Sequence, residues 1–99
     1  MSGRQLSQRA RKDLAEIWRY SDRQWGPERA DRYIAAIHSA CAKLAAKPSL
    51  GRRLPEAPKS IHQYRCGSHV IVHRMRGEQV YVVRILHESM DYLRQLSGK

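Results

Sequence analysis

The chain has 99 residues, 41% of them hydrophobic and 28% charged, with a net charge of +10. At this length about 65% of the unfolded surface is buried on folding, so one domain is expected, and wholesale disorder is excluded. No uncharged apolar run, residues 80–83 among them, is long enough for a membrane span.

Residues 1–11 hold three arginines and no apolar block, so no secretory signal is expected. Cys41 and Cys66 are the two cysteines, and neither belongs to a Cys-x-x-Cys pair. That excludes a disulfide scaffold or a zinc ribbon, and the expected setting is a reducing cytoplasm. Lys and Arg total 19 against 9 Asp and Glu, and 14 of the 19 are Arg. The excess is +5 in each half, so the folded body is cationic throughout. Such a body favours a polyanionic partner, and guanidinium forks suit carboxylates or phosphates.

In chain order, Leu6-Ser7 reads as a short strand running into a helix, with Ser7 as N-cap. Ala10, Leu14, Ile17, Trp18 and Ser21 make one helical face, and Arg9, Lys12, Asp13, Glu16, Arg19 and Arg23 make the other. Trp25-Gly26-Pro27 breaks the helix, because Gly suits a helix end and Pro a helix start. A second helix carries Ala30, Tyr33, Ile34, Ile37, Cys41, Leu44 and Ala45 on one stripe and stops at Lys47-Pro48. So short a turn predicts an antiparallel helical hairpin.

Residues 49–60 read as a loop, and residues 61–66, 69–76 and 79–86 as strands joined by Gly67-Ser68 and Gly77-Glu78 turns. Residues 88–96 read as a short terminal helix. The order strand, two helices, three strands, short helix defines an α+β fold.

Chemistry is sparse. His69 and His73 have zinc spacing for a helix, but four residues along a strand span about 13 Å, too far for one ion. They read instead as two histidines on one sheet face. No phosphate loop and no paired strand carboxylates occur, and Cys41 and Cys66 fit core packing better than nucleophilic attack. Arg65, Arg74 and Arg84 share a sheet face if the strand registers match. There they bind a phosphate backbone or pair with nearby acids. Trp18, Trp25 and Tyr33 follow the helical stripe and pack the hairpin or fill a partner groove.

The run Asp13-Leu14, Ile17-Trp18, Tyr20, Trp25-Gly26, Ala30 and Tyr33 resembles the helical hairpin of ParE-type toxins. Leu44-Ala45, Pro48, Gly51-Arg52, then Arg65, Gly67-Ser68-His69 and Arg74, are similar to later segments of that family. Val83-Arg84-Ile85-Leu86-His87 with Met90-Asp91 resembles its ending, and the likeness covers residues 6–96.

The resemblance implies a RelE/ParE-like fold, with an N-terminal strand, an antiparallel helical hairpin on a curved antiparallel sheet, and a short C-terminal helix. It implies the toxin of a type II toxin–antitoxin module, forming a hetero-oligomer with a ParD-like antitoxin whose acidic C-terminal segment wraps it. DNA would be met only through that complex. It also implies inhibition of DNA gyrase by binding, with no catalysis, cofactor or metal. The gyrase-binding candidates are Arg84, His87, Met90 and Asp91. The antitoxin-binding candidates are Trp18, Trp25, Tyr33, Arg65 and Arg74, and an exposed sheet edge offers strand addition.

The alternative is a RelE-type, ribosome-dependent mRNA endoribonuclease, for which the catalytic set is Arg65, Arg84, His87 and Tyr92. Glu88 argues against it, since a carboxylate beside His87 repels phosphate. A non-toxic nucleic-acid-binding module explains the charge but not the ordered motifs.

Overall fold

The computed structural model describes residues 4–90 and 92–96. Strand β1 (Arg4–Leu6) leads into helices α1 (Gln8–Trp25) and α2 (Pro27–Ala46). A 3-10 turn (Pro48–Leu50) and strands β2 (Arg52–Arg53), β3 (His62–Cys66), β4 (His69–Arg76) and β5 (Gln79–His87) follow, and helix α3 (Tyr92–Leu96) closes the described chain.

The local signals act as their chemistry dictates. Ser7 caps α1, its hydroxyl accepting from the Ala10 N–H at 2.9 Å. Gly26, at φ +91°, is the single residue between the helices, and Pro27 opens α2. Glu28 lies in the first turn of α2, where the helix dipole favours an acid. Across the hairpin, the Trp18 indole N–H donates to Asp31 at 2.8 Å.

The five strands form one sheet in the order β1-β5-β4-β3-β2. It is mixed, where the resemblance implied an antiparallel one, because β1 runs parallel to β5. Strands joined by tight turns, as in β3-β4-β5, must alternate in direction. The connection from β1 to β5 spans the helices and three strands and imposes no such constraint. Both edge strands are short, three residues in β1 and two in β2. Residues 49–60 differ from a plain loop: they hold the 3-10 turn and β2, and Leu54 and Ala57 are buried.

Two apolar clusters lie on opposite faces of the sheet. The larger joins Ala10, Leu14, Ile37, Ala40, Cys41 and Leu44 of the helices to Ile71, Val80, Val82 and Ile85. The smaller, Val70, Val72 and Leu86, packs with Ile61 and with Leu96 of α3. Val82 and Ile85 cannot share a face in a regular strand, whose period is two. A bulge reconciles them: Val72 faces Arg84 and His73 faces Val82, leaving Val83 as the extra residue of β5. The start of α1 covers this irregularity, with Ser7 N–H donating to Val82 O and Ser7 Oγ to Val83 O.

Candidate functional site

Beyond Leu6, β1 leaves the sheet and, while β4 still pairs along one edge, β5 loses its strand neighbour on the other. Asp13 of α1 takes its place, accepting from the Ile85 N–H at 2.9 Å and from Arg84 Nε at 2.8 Å and Nη2 at 3.1 Å. Asp13 is 5% and Arg84 9% exposed, so this is a buried, two-point ion pair. The helical pattern assigned Asp13 to the solvent side of α1, and the structure places it inside. Arg84, a candidate in both functional readings, is bound to α1.

Beside this pair a cleft of about 430 Å³ separates the helical hairpin from the ends of β4 and β5. Its floor is a chain of polar rings. The Ser68 N–H donates to the Tyr33 hydroxyl at 3.1 Å, and that hydroxyl lies 2.6 Å from His69 Nδ1. The hydroxyl thus joins the Gly67-Ser68 turn to the His69 ring, with one hydrogen bond to each. The His69 and His87 rings meet edge to face at 5.2 Å. His87 Nδ1 accepts from the Ser89 N–H at 3.1 Å and lies 2.7 Å from the Ser89 hydroxyl.

Burial, then the neighbouring His87, pushes the His69 pKa down to about 4, against a smaller upward pull from Asp13. His69 is therefore neutral at pH 7 and fit to accept from Tyr33. Burial raises the Tyr33 pKa, partly offset by the Ser68 N–H. The close fit explains Gly67, whose φ is +61° and where an added Cβ would sit 2.9 Å from the Tyr33 hydroxyl.

The rim of the cleft is apolar and open. Trp25 is 55%, Tyr20 54% and Met90 44% exposed, high values for such large side chains, and all three line this cleft. Tyr20 and Trp25 meet edge to face at 6.4 Å, and the Arg29 guanidinium lies 5.3 Å from the Trp25 ring centre. Glu16 lines the same opening.

The sequence candidates therefore divide. Trp25 and Tyr33, assigned to the antitoxin, and His87 and Met90, assigned to gyrase, line one cleft. Trp18 is half-buried in the hairpin on Asp31. Arg65 and Arg74 stand opposite Val70 and Tyr81, on the sheet face away from the helices. Arg65 pairs with Glu88, while Arg74 stacks on Tyr81 at 5.1 Å. Asp91 lies outside the described residues, as does the Tyr92 side chain.

His69 and His73 belong to separate groups: His69 to the cleft, and His73 to a contact with His62 at 6.0 Å beneath Gly51. Among the described residues no three His, Cys, Asp or Glu side chains are grouped to hold a metal. No helix of the described residues is long and apolar enough to cross a membrane. Tyr20, Ser68 and His69 line the cleft but were missed as site residues. Gly67-Ser68, a turn signal close to His69, was the available pointer to the first contact with Tyr33.

A helical hairpin on one face of a mixed sheet, with a short terminal helix on the other, defines a RelE/ParE-like α+β fold. Two solved structures share it. One, described as a chromosomal ParDE toxin–antitoxin system from Pseudomonas aeruginosa, aligns at a TM-score of 0.77 and 19% identity, covering 88% of this chain and 96% of that one. The other, a RelBE toxin–antitoxin complex from Mycobacterium tuberculosis, aligns at 0.67 and 20% identity, covering 87% and 96%. In sequence, Toxin ParE1 of Caulobacter vibrioides is 38% identical over 88 residues, 87% of this chain and 88% of that protein. The family described as "ParE toxin of type II toxin-antitoxin system, parDE" matches residues 5–92. The chain belongs to that family.

Proposed function

We propose that this ParE-family chain arrests cells by binding DNA gyrase through the cleft between its helical hairpin and the β4–β5 ends. A ParD-like antitoxin neutralises it by occupying the same cleft, in a cytoplasmic hetero-oligomer. The observation that carries this reading is the open apolar rim of Tyr20, Trp25 and Met90 around a floor where the Tyr33 hydroxyl meets the His69 ring. Exposed aromatic side chains clustered at one concave site are the usual anchors of a protein interface. Residues assigned separately to antitoxin and target, Trp25 and Tyr33 against His87 and Met90, converge there. Occlusion then needs no conformational relay.

Action by binding rather than catalysis is supported by how the ribonuclease set is dispersed. Arg84 is held in the buried pair with Asp13, Arg65 is paired with Glu88 on the far sheet face, and His87 opens to the cleft. Activation of a ribose hydroxyl needs such groups around one point.

Two assays test the reading. Gyrase incubated with plasmid and this protein should lose supercoiling or accumulate cleaved complex, and addition of the antitoxin should reverse it. Translating ribosomes should show no new cuts in mRNA. Codon-dependent cleavage with gyrase untouched would establish the ribonuclease instead.

A further inference from the structure

The sheet face away from the helical hairpin carries a second surface, rich in arginine, that the proposed cleft does not include. The strand register places Arg52 and Gln63 with Val72, and Arg74 with Tyr81 and Gln5, on this face. Arg74 and Arg76 both stack on the one Tyr81 ring, their guanidinium carbons 5.1 and 4.4 Å from its centre. Arg76 also donates to the Gln5 side chain at 3.4 Å. Among the described residues no ion pair reaches Arg52, Arg74 or Arg76. The acids that do pair, Asp13 and Glu88, go to Arg9, Arg84 and Arg65.

Two guanidinium groups two residues apart on one strand repel each other, and among the described residues no ion pair offsets that repulsion. A tyrosine face holds both in place without neutralising either. The apolar part of this face, Val70, Val72 and Leu86, already packs with Ile61 and Leu96. Beyond that apolar part, Arg52, Arg74, Arg76 and the Gln5 and Gln63 amides present charge and hydrogen-bonding groups. An acidic protein segment would be bound weakly by such a surface, whereas a regular array of phosphates needs nothing more.

We propose that Arg52, Arg74 and Arg76 bind the phosphate backbone of duplex DNA, without sequence preference, on the face opposite the cleft. The body as a whole, at +10, adds to the attraction. The surface lets the chain dwell on DNA while the cleft stays free, and it does not depend on what fills the cleft.

The test is fluorescence anisotropy of a labelled, random-sequence 20-base-pair duplex titrated with the full chain at several salt concentrations. The wild type should bind with a log–log salt slope that falls by about 1.8 in Arg74→Gln/Arg76→Gln, at roughly 0.9 for each phosphate no longer neutralised. Arg52→Gln, on the exposed two-residue edge strand, should lose about 0.9 by the same rule and guards against misfolding of the double variant. Arg74→Lys/Arg76→Lys should keep the slope. Arg19→Gln/Arg23→Gln removes equal charge from α1 and should leave the slope unchanged. Equal losses in that control, an unchanged slope in the sheet variants, or tighter binding of polyglutamate or single-stranded RNA than of duplex DNA would each overturn the proposal.

Discussion

Asp13 and Arg84, 71 positions apart, meet in a two-point ion pair that ties the first helix to β5 at its bulge. The same carboxylate closes the Ile85 N–H. It therefore answers two problems at once: an arginine drawn inside, and a backbone donor left open where β1 ends. Each would be costly alone, since a buried charge or donor without a partner loses its hydration for nothing.

Arg84→Met should therefore destabilise the fold by about 3 kcal/mol or more, because it strands the Asp13 carboxylate. Arg9, 3.8 Å from Asp13 and half-exposed, is a weak substitute. The double variant Asp13→Leu/Arg84→Met should recover much of that loss. Urea denaturation of the two single variants and the double measures the coupling, and additive losses would show that the pair does not act as a unit.

This pair also marks the limit of what the sequence shows. Helix periodicity placed Leu14 and Ile37 inside correctly, and turn residues such as Gly26-Pro27, Gly67 and Gly77 bounded the helices and strands. Asp13 escaped because one charged residue beside an apolar stripe looks like the stripe's solvent edge. Only the position of Arg84, set by the Val83 bulge, brings it in, and a single extra residue in β5 leaves no composition signal. The cleft was half legible for the same reason. Trp25, Tyr33, His87 and Met90 stood out as residue types, but their convergence depends on how the hairpin sits over the strand ends. The parallel β1–β5 pairing is likewise a product of tertiary packing.

Acidification should destabilise the fold. The His69 pKa is about 4 in the folded chain, against an ordinary 6.5, and burial also lowers that of His73. Between pH 6.5 and 4 the unfolded chain binds protons that the folded chain does not, so stability is full above 6.5 and falls as the pH drops. Thermal unfolding at pH 7.5 and pH 5.0 should show a lower Tm at pH 5.0, and a smaller drop in His69→Gln. A Tm independent of pH would mean that these rings titrate normally.

Gly67→Ala should lower stability by about 1–3 kcal/mol, since it forces a side chain to positive φ. Its Cβ also presses on the Tyr33 hydroxyl. NMR titration should show the His69 ring moving toward an ordinary pKa as the contact with Tyr33 opens. An unchanged titration would separate Gly67 from the cleft floor.

The rim should be separable from the fold. Trp25 is more than half exposed, so Trp25→Ala should change unfolding free energy by no more than about 1 kcal/mol. As an interface anchor it should nevertheless cost about 2 kcal/mol of antitoxin affinity, roughly a thirtyfold rise in Kd. Calorimetry of the purified pair reads this directly, and an unaltered Kd would remove Trp25 from the interface.

The most direct test of action by occupancy of the cleft is a cross-titration of this protein against gyrase in a supercoiling assay. Inhibition should require about one toxin chain per gyrase site when the enzyme is in excess of the Kd, and Trp25→Ala should shift the curve to higher concentration. Complete inhibition by a small fraction of a chain per gyrase, or a Trp25→Ala curve that overlays the wild type, would contradict the account.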